Sequence, residues 1–193
     1  MIPVSLDPRA LNLGLAGHGP AALRRWQLIA EGGAMQAQCF ADAPDAALQA
    51  SAGEACRLGL PDEETLSRLD VLWIVGMPDD EAAALAQRAR RHKILVNVED
   101  RREHCTFHNA AEVRRGALLL TVSTDGRSPG LAQRIRGFLA QTFGPEWGER
   151  LEMIGNQRDE WRRGGDDLPV LAAKTETFLQ QNGWLAELTP HRK

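Results

Sequence analysis

The sequence predicts an α/β protein in which a Rossmann-like parallel sheet domain is followed by a small α+β dimerisation domain and a helical C-terminal segment. Apolar runs typical of buried strands alternate with helical patterns through the first half of the chain. A glycine-rich turn joins one of the first strands to the first helix. Towards the end of the chain, apolar residues recur at helical spacing only.

Composition and charge limit the classes of function. At 193 residues and 43% hydrophobic content, the chain can bury a sizeable core. The formal net charge is -3 with both signs interleaved, so we do not expect nucleic acid as the main partner. No run approaches the ~18 apolar residues of a membrane span, and the first residues lack a basic leader, so we expect a cytoplasmic protein with no membrane contact. Three cysteines without scaffold spacing indicate free thiols.

The first elements lead into a dinucleotide-binding pattern. Alternation of Ile2, Val4 and Leu6 predicts a short strand, and residues 11–16 predict another. The next residues are Gly17-His18-Gly19-Pro20-Ala21-Ala22, which follow the pattern G-x-G-x-x-A before a helix predicted over residues 21–31. In this context, glycines let the backbone approach a pyrophosphate, and the start of the helix attracts its charge. A glycine turn selected only for tight packing is the alternative.

The second strand ends in a candidate ribose ligand. Gly32-Gly33 ends the first helix, and a strand is predicted over residues 35–40. Ala41-Asp42 follows, about 20 residues after the glycines, where an acidic side chain can accept hydrogen bonds from an adenosine ribose. Asp42 is equally consistent with a helix cap. Residues 44–70 predict two short helices and no chemistry.

Two further strands complete the predicted sheet. A strand over residues 71–75 precedes a helix over residues 81–92, and Asp79 and Asp80 before that helix are interpreted as capping residues. The next strand covers residues 94–98 and ends at Glu99-Asp100. Ligands of open parallel sheets bind at the carboxyl ends of the strands, so this end is a candidate site.

The middle of the chain predicts an element that pairs two subunits. A strand over residues 117–122 ends in a loop of small residues, and the following helix, residues 131–143, carries Arg134 and Arg136. Together with residues 105–113, these elements form too small a unit to close its own core, so we predict a homodimer. Later helices, the last over residues 168–185, carry Trp161, Phe178 and Trp184, which we interpret as packing residues.

Four segments together resemble one known family. They are Gly17-His18-Gly19 with Arg24-Arg25 in the following helix, Val96-Asn97-Val98-Glu99-Asp100, Cys105-Thr106-Phe107-His108-Asn109-Ala110, and Val122-Ser123-Thr124-Asp125-Gly126-Arg127-Ser128-Pro129. In this order and spacing, the chain resembles the precorrin-2 dehydrogenase / sirohydrochlorin ferrochelatase family, whose module also forms the amino-terminal part of siroheme synthase. The resemblance extends from about Ile2 to about Arg158.

The resemblance implies a fold, a cofactor and an activity. It implies an NAD-binding Rossmann domain over residues 1–103, a strand-exchanging dimerisation domain over 104–144 and a helical domain over 145–193. The implied reaction is the NAD-dependent oxidation of precorrin-2 to sirohydrochlorin in siroheme biosynthesis. Some members of the family also insert iron.

The resemblance also implies roles for individual residues. The cofactor-binding positions are Gly17, His18, Gly19, Pro20, Ala21, Ala41 and Asp42. Asp100 resembles the essential aspartate of the family, Thr124 falls on a hydroxyl position that influences chelation in some members, and Ser128 lies next to the dimerisation helix. The chain departs from the family pattern at Pro20, where members often have an acidic residue. Proline is sterically acceptable in the first helical turn, but it removes an N–H that could point at a phosphate.

Chemistry independently makes Asp100 a candidate general base. Oxidation of a partly reduced tetrapyrrole requires a hydride acceptor beside the macrocycle and a group that takes up protons. A carboxylate at a strand end on the expected cofactor side suits the second role. A turn or helix cap before Arg101 is the alternative for this aspartate.

The candidate substrate ligands suit a molecule that carries many carboxylates. They are His108, Arg114, Arg115, Thr124, Arg127 and Ser128. Arginine binds carboxylates in a bidentate way, although a solvated surface position is the alternative for each arginine. His104, Cys105 and His108 form H-C-x-x-H, but the second half of a structural zinc site is missing. Cys105 and Phe107 are expected to face the core, so we predict no metal site.

Two classes of function remain open from the sequence. The first is an NAD-dependent precorrin-2 dehydrogenase, with or without ferrochelatase activity. The second is a non-catalytic Rossmann-like protein that binds or carries a tetrapyrrole or a nucleotide.

Overall fold

The structure is a computed structural model and describes residues 2–184. The helix predicted over residues 168–185 ends at Gln181, with Asn182 as its C-cap, and Leu185 lies outside the described residues. The chain divides into two compact units, the first ending at Asn109 and the second beginning at Ala110. The predicted boundary after residue 103 lies within the first unit. The predicted division of the later residues into 104–144 and 145–193 stays a prediction.

The first unit is a parallel sheet with helices on both faces. Its strands are β1 (Leu13–Gly17), β2 (Gln38–Ala41), β3 (Cys56–Leu58), β4 (Val71–Val75) and β5 (Leu95–Val98). Its helices are α1 (Gly19–Glu31), α2 (Ala46–Ala52), α3 (Glu63–Arg68) and α4 (Asp79–Arg91). The five strands are all parallel in the order β3-β2-β1-β4-β5, so the predicted Rossmann-like fold is confirmed.

Helices cover both faces of the sheet, so its strands carry apolar side chains on both faces. In β4, Val71, Trp73 and Val75 join one buried cluster, which includes residues of α1 and α2. Leu72 and Ile74 point to the other side and join a second cluster, which includes residues of α3 and α4. Burial on both sides accounts for the continuous apolar runs from which β1, β4 and β5 are predicted.

Two predicted strands of the first unit differ from the structure, and one observed strand is not predicted. Residues 2–6 form no strand, and the side chains of Ile2, Val4 and Leu6 are exposed, because their alternation has no partner strand beside it. The strand predicted from Met35 begins only at Gln38, after a turn that leaves Met35 exposed. Strand β3 is missing from the prediction because it is only three residues long and half-exposed at the sheet edge.

The second unit combines a hairpin with three helices. Its elements are β6 (Ala111–Arg115), β7 (Leu118–Val122), α5 (Pro129–Thr142), α6 (Glu146–Arg163) and α7 (Leu168–Gln181). Strands β6 and β7 form an antiparallel two-stranded sheet. The ring of Phe178 packs against those of Trp161 and Trp184, so these aromatic residues are packing residues as predicted. Within residues 2–184, no helix is long and apolar enough to cross a membrane.

Candidate functional site

A cavity opens at the carboxyl ends of the strands in the first unit, where ligands of such sheets bind. Its volume is about 250 Å³. The lining residues are Gly17, His18, Asp42, Ala43, Leu60, Met77, Pro78 and Glu81. The structure therefore brings together two of the predicted glycine-turn residues and the predicted ribose ligand, which are far apart in the sequence.

Glycine is required where the end of β1 passes the end of β4. Gly17 has φ 143°, and a Cβ atom there would lie 1.7 Å from the Val75 carbonyl oxygen. Gly76 has φ 67°, and its Cβ would lie 2.3 Å from the His18 carbonyl oxygen. The His18 N–H donates to the Val75 oxygen at 3.3 Å and holds the two turns together. Both glycines thus serve tight packing, the alternative weighed for the first turn, and Gly17 also lines the cavity.

The first turn of α1 offers few free N–H donors in this arrangement. The N–H of Gly19 donates to the Asp45 carboxylate at 3.1 Å, and Pro20 has no N–H. Ala21 is half-buried and packs against the apolar cluster beneath α1. Asp45 was not among the predicted site residues. The sequence could have indicated Asp45 as the N-cap of a short helix, because aspartate is preferred immediately before a helix. Its contact with Gly19 has no signal in the sequence.

Asp42 extends from the sheet edge into the cavity lining. Ala41, the last residue of β2, is fully buried, and Asp42 after it is exposed. The N-cap of α2 is Asp45, whose carboxylate accepts the Leu48 N–H at 2.9 Å. The helix-cap alternative for Asp42 is therefore wrong, and its role as a ribose ligand stays a prediction.

Asp100 occupies the turn after β5 in a left-handed backbone conformation. Its φ is 61°, a conformation that is uncommon for residues other than glycine and that concentrates at functional sites. The side chain is exposed, and no residue between 2 and 184 donates a hydrogen bond to its carboxylate. The following 3₁₀ turn, Arg102–His104, has Arg101 as its N-cap, so Asp100 caps no helix. The other part of the alternative, a turn residue, agrees with its position, and its role as a general base stays a prediction.

The segment from Cys105 to Asn109 lies beside β5 and bonds to it without forming a strand. Thr106 donates its N–H to the Val96 carbonyl at 2.7 Å and accepts the Val96 N–H on its hydroxyl at 2.7 Å. Buried Asn97 donates to the Phe107 carbonyl at 2.9 Å and accepts from the Asn109 amide at 2.8 Å. Asn109 in turn accepts the Trp73 indole N–H at 2.9 Å. This network positions His108, which is half-buried.

The thiol of Cys105 is committed to the backbone rather than to a metal. It accepts the Val98 N–H at 3.2 Å, lies 3.3 Å from the Val98 carbonyl, and packs against the cluster formed with α3 and α4. Phe107 packs against the other cluster, so both residues face the core as predicted. In the part of the chain that the structure describes, no group of three or more His, Cys, Asp and Glu side chains could hold a metal ion.

The remaining predicted ligands lie in the second unit. Arg115 donates from its guanidinium to the carbonyls of Phe143 at 2.9 Å and Ala140 at 3.2 Å, at the end of α5. Arg114 lies 3.6 Å from the Glu112 carboxylate. Thr124 donates to the Ser128 carbonyl at 3.1 Å.

Ser128 and Arg127 occupy the start of α5. The Ser128 hydroxyl accepts the Leu131 N–H at 3.3 Å and so caps the helix. Arg127 is exposed. Among the predicted arginine ligands, Arg127 and Arg114 thus keep more of their guanidinium groups available than Arg115 does.

Comparison with known proteins gives the chain a family. A family model described as "Putative NAD(P)-binding" matches residues 4–111, more than half of the chain. The chain belongs to this NAD(P)-binding family. The matched residues include the whole parallel sheet, the cavity and Asp100.

Several relatives of this NAD(P)-binding protein act in siroheme synthesis. A siroheme synthase of Methylococcus capsulatus is 30% identical over 164 residues, which cover 84% of this chain and 35% of the relative. The siroheme biosynthesis protein met8 of Schizosaccharomyces pombe is 33% identical over 121 residues, 62% of this chain and 43% of the relative. The family resemblance predicted from the sequence is thereby confirmed. The chain spans about a third of the length of the siroheme synthases that it matches.

A solved structure shares the fold over nearly the whole chain. The structure of SirC, a precorrin-2 dehydrogenase, superimposes with a TM-score of 0.70 and covers 94% of this chain and 98% of its own, at 22% identity. This likeness confirms the α/β fold class with its helical C-terminal segment.

Several residues at the cavity suit individual parts of a dinucleotide. Gly17 and Gly76 bring two backbone turns into contact, and the space beside Gly19 is open, since a Cβ there would meet no atom within 4 Å. Leu60, Met77 and Pro78 supply apolar lining for a base, and Asp42 supplies an acceptor for a ribose hydroxyl. The lining has two carboxylates, from Asp42 and Glu81, and no lysine or arginine among the described residues.

Proposed function

We propose that the protein is an NAD-dependent dehydrogenase that oxidises precorrin-2 to sirohydrochlorin in siroheme biosynthesis. The observation that carries the proposal is the carboxyl edge of the parallel sheet, where a cavity lined by Gly17 and Asp42 and the exposed carboxylate of Asp100 all follow strand ends. Membership of the NAD(P)-binding family and the names of the relatives support it. We further propose that the active form is a cytoplasmic homodimer.

The oxidation removes one hydride and one proton from the macrocycle. Bound NAD would supply the hydride acceptor. Gly17, His18, Gly19 and Ala21 would hold the cofactor at the start of α1, and Asp42 would accept hydrogen bonds from its ribose. Asp100 would take up the proton and release it to water, which suits an exposed carboxylate without a competing partner among the described residues.

The carboxylates of the substrate would be bound by cationic side chains and by hydroxyl groups that donate hydrogen bonds. We propose His108, Arg114, Thr124, Arg127 and Ser128 for this role. The same proposal for Arg115 is weaker, because two carbonyls at the end of α5 already accept its hydrogen bonds. The proposal includes no resident metal.

One observation favours the second candidate, a non-catalytic binding or carrier protein. The N–H of Gly19, the donor that a pyrophosphate would use, is already bonded to Asp45. A protein that had lost cofactor binding could retain such an arrangement without cost to its fold.

Turnover and cofactor binding separate the two candidates. We expect the protein to convert precorrin-2 to sirohydrochlorin with stoichiometric formation of NADH, followed by the visible spectrum of the macrocycle and the absorbance of the nicotinamide. NADP should support slower turnover, because the Asp42 carboxylate repels a 2′-phosphate. Tetrapyrrole binding without turnover and without NAD binding at millimolar concentration would establish the carrier instead. Adding Fe²⁺ to the same preparation measures iron insertion.

A further inference from the structure

The Asp45 carboxylate binds two helix starts at once. Its Oδ1 atom accepts the Leu48 N–H at 2.9 Å and caps α2. Its Oδ2 atom accepts the Gly19 N–H at 3.1 Å, at the start of α1. The carboxylate therefore already occupies the N–H group that the glycine-rich turn would present to an anionic ligand.

The other aspartate N-caps among residues 2–184 do not bond to a second helix in this way. Asp62 caps α3 by accepting the Thr65 N–H at 2.8 Å, with its hydrogen bonds confined to Thr65, and Asp167 caps α7 by accepting the Val170 N–H at 3.0 Å. Only one oxygen is needed for a cap. The bond from Asp45 to Gly19 joins residues 26 positions apart, so it is a tertiary contact that the capping of α2 does not require.

Few other donors at the start of α1 could replace Gly19. The His18 N–H is bonded to the Val75 carbonyl at 3.3 Å, and Pro20 has no N–H. The first later residue with an N–H is Ala21. An incoming diphosphate would therefore have the N–H groups of Gly19 and Ala21 to bind, and it would meet the negative charge of Asp45 at Gly19.

The charges around the cavity add to this competition. Asp42 and Glu81 line the cavity, and no described lining residue is a lysine or arginine. Two like charges about 4 Å apart repel strongly even at the effective dielectric constant of a protein surface. The carboxylate of Asp45 must therefore withdraw, or the diphosphate must bind without the Gly19 N–H.

We propose that Asp45 competes with the cofactor diphosphate for the start of α1 and thereby sets a weak dinucleotide affinity. This inference rests on the proposed function, because it assumes that the cavity binds a nicotinamide dinucleotide. Asp45 is an affinity-determining residue and takes no part in the chemistry.

Two substitutions remove the charge and keep the cap of α2. Asp45→Asn retains one oxygen for Leu48, and its amide can donate to a phosphate. Asp45→Ser also caps helices well and is too short to reach two partners. Asp62→Asn is the matched control, because it changes an aspartate N-cap of similar geometry in α3 that makes no bond to α1.

The experiment measures binding of NADH, ADP and adenosine to the four full-length proteins by calorimetry, with the melting temperature of each. We expect Asp45→Asn and Asp45→Ser to bind NADH and ADP about tenfold more tightly than the wild type. Adenosine has no phosphate, so its affinity should stay unchanged, and Asp62→Asn should match the wild type for every ligand.

The outcomes distinguish failure of this inference from failure of the proposed function. If the wild type binds NADH and the Asp45 variants bind it equally or more weakly, the competition does not exist, and the proposed function stands. An equal gain for adenosine would also overturn it, since the diphosphate would not be the group affected. If none of the four proteins binds NADH or ADP, both the proposed cofactor and the competition are wrong.

Discussion

At the scale of single residues, the site depends on carboxylates in different surroundings. Asp45 is bonded to two N–H groups, and Asp42 lines the cavity. Asp100 is exposed on a left-handed turn and has no hydrogen-bond donor among the described residues. One type of side chain thus supplies a cap, a candidate ribose acceptor and a candidate base, according to what surrounds it.

Replacing Asp100 should remove turnover and keep the fold. Asparagine tolerates the φ of 61° at this position, so Asp100→Asn should change the free energy of unfolding by about 1 kcal/mol or less. Loss of a general base should lower precorrin-2 oxidation per folded molecule ~10²–10⁴-fold, with NADH affinity unchanged. Asp80→Asn, an exposed carboxylate in the first turn of α4, is the control. Undiminished oxidation by Asp100→Asn would end the catalytic assignment.

The Cys39 thiol should make stability depend on pH in the alkaline range. Burial, with a smaller contribution from neighbouring Cys56, raises the pKa of Cys39 from 9.0 to about 12. Between these two values, the folded protein keeps a proton that the unfolded chain loses, so ionisation favours unfolding. The stabilisation is complete below pH 9.0 and falls as pH rises towards about 12.

Urea unfolding at a series of pH values measures this effect. The free energy of unfolding of Cys39→Ala should be lower than that of the wild type at neutral pH, because the substitution leaves a small cavity. It should then fall less steeply with pH in the alkaline range. The chain contains no tyrosine, so phenol ionisation does not obscure the comparison. Parallel curves for the two proteins would show that the Cys39 thiol ionises freely in the folded state.

At the scale of elements, the crossing of the turns after β1 and β4 holds the cavity wall. The Gly17 position leaves no room for a side chain, because the Val75 carbonyl lies against it. The Gly76 position is closed in the same way by the His18 carbonyl. Each turn thus fixes the other through backbone atoms alone.

Gly17→Ala should therefore destabilise the first unit and abolish dinucleotide binding. The added methyl would overlap the Val75 oxygen, so β1 and β4 must separate, at a cost of about 3 kcal/mol or more. Gly155→Ala is the matched control, because Gly155 is exposed in α6 with no atom within 4 Å of an added Cβ. It should change stability by about 1 kcal/mol at most, and in the stabilising direction. Urea unfolding and NADH titration measure both effects, and a Gly17→Ala protein of wild-type stability would contradict the expected overlap.

Apolar patterns in the sequence predict the strands that are buried on both faces, but they do not predict the other strands reliably. Strands β1, β4 and β5 produce continuous apolar runs because helices cover both faces. Residues 2–6 alternate like a strand but have no neighbouring strand to pair with, so they form none. Strand β3 does pair with β2, although its three residues show no apolar pattern. Periodicity reports which side chains are apolar, whereas a strand also needs a neighbouring backbone to bond to.

The sequence predicts the site residues that directly follow a strand, because the strand fixes where they lie in the fold. Strand ends must meet at one edge of a parallel sheet, which placed Asp42 and Asp100 there from sequence alone. The bond between Asp45 and Gly19 and the network of Asn97 depend on how separate segments pack together. Such tertiary contacts leave no regular spacing in the sequence.

At the scale of the whole molecule, the two units differ in how well they bury their apolar side chains. Both large apolar clusters lie in the first unit. The buried apolar residues described in the second unit are Val113, Trp147, Leu171 and Trp184. Helix α5 buries none of its residues, and Leu131, Ile135 and Phe138 form an exposed stripe at helical spacing. An apolar stripe beside a two-stranded sheet supports the proposed homodimer.

Charge on this stripe should therefore separate the subunits. Sedimentation at micromolar concentration should give a dimer of 21.2 kDa chains for the wild type and a monomer for Phe138→Glu, because burial of a carboxylate in an apolar contact is costly. Met35→Glu places the same charge on an exposed turn of the first unit and should leave the dimer intact. A monomeric wild type, or a Phe138→Glu protein that stays dimeric, would rule out this face as the subunit contact.

The extended segment from Cys105 to Asn109 limits where recombination between related genes could join the first unit of one protein to the second unit of another. Thr106 bonds to Val96 in both directions, and Asn109 completes the hydrogen bonds of Asn97 and Trp73. A recombination junction before Cys105 would replace the residues that bond to β5 and to buried Asn97 with those of another protein. A junction after Asn109 would transfer the first unit together with these hydrogen bonds. Functional chimaeras between members of this family should therefore have their crossover points after Asn109, beyond the residue at which the last sheet strand itself ends.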